Sequence, residues 1–511
     1  MRADAGSASK ESRPVPSRPH MDPQSDSRDA HYLVRIAAEV ASKSNRTRRR
    51  FHQQLVRNLN DALRPTGANP RIRDRWSRLF ITLAEPGGAS TADEAMEAAT
   101  RVFGLSSYSR VDAVIDADLD EIVRVGHDLY RDAVTGHRYA VAPRRTGRHS
   151  FSSRDVAVEL GAALNPYGTV DLTTPEVTVH VEVRDHRAYL FSSRTEGPGG
   201  LPVGVQARAV CLISGGFDSA VAAWLLLKRG VPLDYVFCNL AGPAFERSVI
   251  QVTRVLADRW SYGNRPRIHV VDFGEAVGQL QERVTPRYWQ VVLKRLMYRA
   301  AEQVAADIDA DALVTGESLG QVSSQTLRNL RAIEAAATRP VLRPLVGFDK
   351  QEIIRIAERI GTAALSARVK EYCAILSGKP VTAAKVLAVD REEAPLDPGL
   401  VDRAVAARKV LDVRKIADSD LQRDYLWVDS LPAGARVIDC RPRQQDDGWR
   451  HPGSKRVLPG DFPDLVEILN KDVEYVLFCD NGVQSGQFAN LLQTVGYEAY
   501  ALKDGTKALR G

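Results

Sequence analysis

With 511 residues, 44% of them hydrophobic and 26% charged, the chain is long enough for roughly three to four domains of about 100–200 residues each. No apolar run approaches the roughly 20 residues that cross a bilayer, which argues against a membrane partner. A net charge of +6 is mild for this length, so a nucleic-acid footprint is expected only in local patches. Five scattered cysteines fit a reducing, cytoplasmic setting better than a disulfide framework.

Residues 1–29 are rich in Ser, Pro, Asp and Arg, lack the apolar segment of a signal peptide, and read as a disordered tail. Residues 30–104 alternate strand and helix. A strand His31–Ile36 is followed by a basic run from Lys43 to Arg50 that leads into a helix through Leu55 to Leu63. A second basic cluster, Arg71, Arg73, Arg75 and Arg78, precedes a strand Leu79–Leu83, and a helix from Ala92 ends at Gly104. The alternation predicts a small ferredoxin-like α+β sandwich. The arginines are either a solvated face or phosphate contacts, and their clustering at element ends favours nucleic acid.

Residues 105–196 form a second module. The strand Tyr139–Pro143 runs into an Arg-rich turn carrying Arg144, Arg145 and Arg148 around Gly147, then a helix from Arg154 and a strand Val177–Val183. This order resembles the THUMP module of RNA-modifying enzymes. The three arginines flanking a glycine are expected to form a mobile cationic loop suited to an RNA backbone.

Gly197–Pro202 is a turn-rich linker into residues 197–400, where the most informative stretch lies. The apolar run Ala209–Ile213 reads as a buried strand, Ser214-Gly215-Gly216-Phe217-Asp218-Ser219 as a sharp turn, and Ala220–Leu227 as a helix. Two glycines let the backbone approach a ligand closely, and N–H groups at a helix start face an anion. No Lys precedes the final Ser, so this is not a Walker A loop; it resembles the PP-loop of ATP pyrophosphatases. Further strands, Tyr235–Leu240, Ile268–Phe273 and Ala312–Thr315, separated by helices, predict a doubly wound parallel sheet. Ligands of such sheets sit beyond the carboxyl ends of the strands, so Leu212, Ile213, Phe237, Cys238, Gly316 and Gln325 are expected to converge on one nucleotide. Lys294, on a helix Tyr288–Ala306, is expected to neutralise phosphate charge, and Asp218 to help hold Mg²⁺ with ATP. No separate protein metal site is read.

Residues 401–428 read as a linker and 429–511 as a small α/β domain. Val437–Arg441 is a strand ending in Asp-x-Arg, and Tyr475–Phe478 leads through Cys479-Asp480-Asn481-Gly482-Val483-Gln484-Ser485 to a helix Gln487–Val495. Strand, Cys, short loop and helix resemble a rhodanese domain, whose loop amides stabilise a thiolate or persulfide at Cys479. The loop departs from that pattern in having the acidic Asp480 first. Cys211, Cys238 and Cys440 read as packing residues, with the backbone of Cys238 near adenine.

Taken with TGESLGQVSSQT at 315–326, RPL at 343–345 and Glu371-Tyr372-Cys373, these motifs resemble the tRNA 4-thiouridine synthase (thiamine-biosynthesis sulfurtransferase) family from about residue 31 to the end of the chain. The resemblance implies a tRNA uracil 4-sulfurtransferase. ATP would adenylate uridine, expected at position 8 of tRNA. A cysteine desulfurase would load Cys479 as a persulfide, and sulfur would displace AMP. Cys373 would then close a disulfide with Cys479 that a reductant resets. It also implies sulfur transfer to a small carrier protein for thiazole synthesis. A PP-loop ligase or amidase would need neither cysteine, and an RNA-binding protein with a retired site would not keep SGGFDS intact.

Overall fold

The five antiparallel strands nearest the N-terminus lie in the spatial order Thr195–Glu196, Leu105–Val111, Asp29–Ile36, Arg78–Ala84, Arg71–Arg75. They belong to a computed structural model that describes residues 29–75, 78–84, 92–240, 242–369, 379–417, 421, 426–443, 447–480 and 483–510. The helix Asn45–Leu63 covers one face of this sheet. Its apolar residues Phe51, Leu55, Leu59 and Leu63 recur every four positions and bury against Tyr32, Val34, Leu79, Ile81 and Leu83. Arg71–Arg75, expected only as a basic segment before a strand, is itself the edge strand; charged side chains there discourage edge-to-edge association. The sheet also takes in Leu105–Val111, beyond the boundary expected at residue 104.

A second sheet runs Ala113–Asp116, Arg187–Phe191, Val177–Arg184, Arg138–Thr146, Thr169–Val170. The helices Leu119–Val134 and Ser153–Leu164 pack on it, burying Ile122, Tyr130, Val156 and Leu160 against the alternate residues Val179, Val181 and Val183. Ser152 and Asp155 form a capping box that starts the second helix.

The third sheet is six-stranded: Val341–Leu342, Ala312–Val314, Ala209–Leu212, Leu233–Asn239, Arg267–Asp272, Lys409–Asp412. All pairings are parallel except the last. The central strands are mostly apolar because helices cover both faces. Residues 401–412, expected to begin a linker, instead supply most of the helix Leu400–Ala406 and the antiparallel edge strand. Phe103 seats the first unit on the third, with its ring centroid 5.6 Å from both Trp224 and Trp260.

The fourth sheet is parallel, in the order Trp427–Val428, Ala499–Leu502, Tyr475–Phe478, Arg436–Asp439, Lys455–Arg456. Arg247 of the third unit pairs with Glu498 of the fourth at 2.8 Å. The order is therefore ferredoxin-like α+β, THUMP-type α/β, doubly wound α/β and rhodanese-like α/β. Among the described residues no helix is long and apolar enough to cross a membrane.

Candidate functional site

The strand Ala209–Leu212 ends at the middle of the third sheet, and the chain turns through Gly215 (φ +77°) into the helix Phe217–Lys228. The turn is fixed from within. The Ser214 N–H donates to Ser219 Oγ at 3.2 Å, and that hydroxyl donates to the Gly216 carbonyl at 3.2 Å. Gly316, after the neighbouring strand, must be glycine for steric reasons: a Cβ there would lie 2.6 Å from the Ser219 nitrogen. The result is a cavity of about 220 Å³ lined by Leu212, Ile213, Ser214, Gly216, Asp218, Ser219, Phe237, Cys238, Lys294, Gly316 and Gln325. All the expected nucleotide residues meet there except Gly215, whose left-handed backbone shapes the turn. Cys211 faces away into the core, where burial pushes its thiol up to about 12.

The cavity floor carries a polar network that the sequence reading did not find. Glu317 accepts from Lys294 Nζ at 3.0 Å, Tyr298 Oη at 2.6 Å, Thr315 Oγ1 at 3.1 Å and Arg343 Nε at 2.9 Å. Burial alone would raise its carboxyl, but Lys294, Tyr298 and Arg343 outweigh that and hold it at about 2. Burial first, and then the Glu317 charge, drives the Tyr298 hydroxyl well above its ordinary range. Lys294 thus stands at the cavity as an ammonium fixed from behind by a carboxylate.

Asp218 projects from the first turn of its helix and accepts from Gln321 Nε2 at 2.9 Å and Lys350 Nζ at 3.0 Å. Neither partner was expected. Lys350 begins the helix Lys350–Ile360, whose Asp349/Glu352 capping box fixes its start. The loop therefore presents a carboxylate, an ammonium from a distant segment, two serine hydroxyls and a helix N-terminus. This donor set suits polyphosphate. A hard cation such as Mg²⁺ takes one or two carboxylates plus phosphate oxygens, which Asp218 fits. Among the described residues no cluster of three or more His, Cys, Asp or Glu side chains forms a protein-only metal site.

In the fourth unit, Cys479 ends the strand Tyr475–Phe478 and is fully buried. Its sulfur lies 3.4 Å from Ser485 Oγ and accepts from the Ser485 N–H at 3.4 Å. The Cys440 thiol, together with these groups, outweighs burial and holds Cys479 at about 5, so its thiolate dominates at neutral pH. Cys440 is pushed the other way by the same contact and stays protonated. Asp480, the unexpected acidic residue of the loop, accepts from Thr506 Oγ1 at 2.8 Å. It is a tie to the C-terminal turn. Asp439 and Arg441 form a fully buried pair at 2.8 Å, with Arg441 also donating to the Trp449 carbonyl. None of the four described cysteines is in a disulfide, and Cys373 lies outside the described residues.

Arg144 and Arg145 are not in a mobile loop. They continue the strand Arg138–Thr146, paired residue for residue with Glu182 and Val183, because the long strand Val177–Arg184 offers a ladder that far. Only Arg148 follows in a turn, and Arg145 is held by the Gly147 carbonyl at 2.9 Å. Beside them Arg35, Arg78 and Arg184 share the single buried carboxylate of Glu182, at 3.7, 3.0 and 2.6 Å. Three cations on one anion leave an excess of positive charge where the first two units meet. Burial first, then Arg35, Arg194 and Arg144, lowers the pKa of His180.

Comparison with known proteins agrees with this arrangement. Family models match in order: the ThiI ferredoxin-like domain at 31–109, a THUMP domain at 116–193, thiamine biosynthesis protein (ThiI) at 204–397 and a rhodanese-like domain at 399–511. A tRNA sulfurtransferase of Desulfurococcus amylolyticus is 37% identical, covering 94% of this chain and 98% of its own. A tRNA sulfurtransferase of Pyrobaculum aerophilum is 36% identical, covering 92% and 96%. A crystal structure of a 4-thiouridine synthetase–RNA complex with bound ATP superposes with a TM-score of 0.66 at 30% identity, covering 75% of this chain and 99% of that one. The chain belongs to the tRNA sulfurtransferase (ThiI) family.

Proposed function

We propose that this member of the family is an ATP-dependent enzyme that adenylates a tRNA uridine at O4 and replaces that oxygen with sulfur, giving 4-thiouridine. The observation that carries the reading is the convergence of SGGFDS, Lys294, Gly316 and Gln325 on one cavity, with Asp218 and Lys350 at its phosphate-binding turn. Uridine O4 is a poor leaving group. Attack of O4 on the α-phosphate of ATP gives an O4-adenylated uridine, whose leaving group at C4 is now AMP, and expels pyrophosphate. The loop amides, the serine hydroxyls, Lys294 and Lys350 oppose the charge that grows on the phosphates. Mg²⁺, held by Asp218 with the phosphates, would supply further charge neutralisation when bound.

The depressed pKa of Cys479 and its Ser485 donors suit it to carry a persulfide delivered by a cysteine desulfurase. The outer sulfur attacks C4 and AMP leaves. Cys373 then attacks Cys479 Sγ, the persulfide S–S bond breaks, and the sulfur stays on uridine. A reductant returns the Cys373–Cys479 disulfide to two thiols. The arginines at 144, 145 and 148 would meet tRNA phosphates. The match to a thiamine biosynthesis family favours a second use of the same sulfur, transfer to a small carrier protein. Single-turnover assay with labelled ATP and unmodified tRNA tests the reading. AMP release and 4-thiouridine should appear together, and Asp218→Ala should abolish both while leaving tRNA binding within a few-fold. Wild-type AMP release by that variant would overturn the assignment.

A further inference from the structure

Cys440 stands beside Cys479 across two paired strands. Asp439 and Phe478 are direct partners in the parallel ladder, and each cysteine is the next residue of its strand. The Cys440 N–H donates to the Phe478 carbonyl at 3.0 Å and the Cys440 sulfur lies 3.1 Å from that same oxygen, so the pairing continues through the cysteines. Successive side chains alternate faces along a strand. Val437, Val476 and Phe478 accordingly enter one core, while Ile438, Cys440, Leu477 and Cys479 enter the other. Both thiols are fully buried on one side of one sheet. Neighbouring strands run about 4.7–4.9 Å apart, inside the roughly 4.4–6.8 Å between Cα atoms that a disulfide requires.

We propose that Cys440 is a second resolving thiol, which discharges a Cys479 persulfide inside the rhodanese-like domain without the help of Cys373. The inference rests on the reading that Cys479 carries a persulfide. The Cys440 sulfur attacks Cys479 Sγ, the Sγ–outer sulfur bond breaks, and the outer sulfur departs as hydrosulfide with the proton that Cys440 gives up. The product is a Cys440–Cys479 disulfide, and an external dithiol restores both thiols while being oxidised itself. In the unloaded domain the Cys479 thiolate keeps Cys440 protonated. Loading moves that charge one bond away to the outer sulfur, which relieves the restraint on Cys440 at the moment a nucleophile is needed. Cys440 already shares a core with Cys479, so no second molecule has to reach the persulfide for sulfur that no acceptor collects to be released.

The test uses the full chain carrying Cys373→Ser, loaded with inorganic polysulfide, desalted and held without acceptor. Intact mass, sulfide release and non-reducing peptide mapping are followed together. The expected result is loss of one sulfur, matching release of hydrosulfide, and a Cys440–Cys479 cross-linked peptide. Adding Cys440→Val should lengthen the life of the persulfide on the order of tenfold or more. A persulfide equally short-lived in both proteins, or sulfide released without the cross-link, overturns the proposal alone. Failure of Cys479 to take up sulfur overturns the persulfide reading and this proposal with it. Diamide oxidation of the unloaded Cys373→Ser protein, with its core unaltered, should give the same cross-link, and its absence refutes the geometry.

Discussion

Replacing Lys350 by Met separates the chemistry of the cavity from its stability. Lys350 Nζ lies 3.0 Å from Asp218 Oδ1, but the side chains are 39% and 17% exposed, so the pair is partly solvated. Such pairs contribute about 0.2–1 kcal/mol, and the contact of Nζ with the Phe217 ring at 5.4 Å adds about 0.5–1 kcal/mol at an exposed site. The Met side chain retains most of the packing on that ring, so the net loss of stability should be about 1 kcal/mol. The charge growing on the phosphates during adenylation is another matter. Removing one preorganised donor from a site of developing charge costs ~10²–10³ in rate, or ~3–4 kcal/mol. The variant should therefore melt almost as the parent does, bind tRNA normally, and release pyrophosphate at least about a hundredfold more slowly in a rapid-quench assay at saturating ATP and tRNA. Release within a few-fold of the parent rate would mean that Lys350 only neutralises Asp218, and the reasoning would fail.

Glu317→Gln should act in the opposite sense, mainly on stability. It leaves Lys294 and Arg343 partly buried without their shared anion, a loss of about 3–5 kcal/mol visible as an earlier urea transition; an unshifted transition would refute it. Because the Glu317 carboxyl is held at about 2, its contribution is fully present above the ordinary carboxylate range and fades as pH falls toward 2, a dependence the Gln variant should lack. The thiolate absorbance lost on Cys479→Ser should titrate with a midpoint near pH 5, and the midpoint should rise toward the ordinary thiol range when Cys440 is Val; a midpoint near the ordinary thiol range in the parent would refute the hydrogen-bonded cradle. Replacing Arg144, Arg145 and Arg148 together should weaken tRNA binding and lower its salt slope by about one unit for each lost phosphate contact, whereas an unchanged slope would make them a solvated face.

The parts of the site legible in sequence were those in which neighbouring residues share one task. SGGFDS carries its turn, its anion-facing helix start and its carboxylate within six consecutive positions, and Cys479 carries its strand, loop and helix in the same way. The parallel sheet was legible because apolar strands alternate with helical stretches. Lys350 was not. It lies 132 positions from Asp218 at the start of an amphipathic helix, where Asp349 and Glu352 read only as a cap. Glu317 was hidden for a related reason: in TGESLGQ it looks like one more polar loop residue, and only the fold brings Lys294, Tyr298 and Arg343 around it. The arginines at 144 and 145 misled in the other direction, since a basic run beside Gly147 resembles a loop until the partner strand Val177–Arg184 extends the ladder beneath it. Cys440 combines both difficulties. Its place after Asp439 in the strand marked it correctly as buried, but burial in one strand says nothing about what stands in the next. The register that sets it beside Cys479 follows from Asp439 meeting Phe478, a pairing between segments 39 positions apart (478 − 439). Local pattern thus located the phosphate turn and the reactive cysteine. The groups that hold their charge in place are supplied by neighbouring elements of the same folds, which is where variants that alter pKa or rate without removing a reacting atom should be sought.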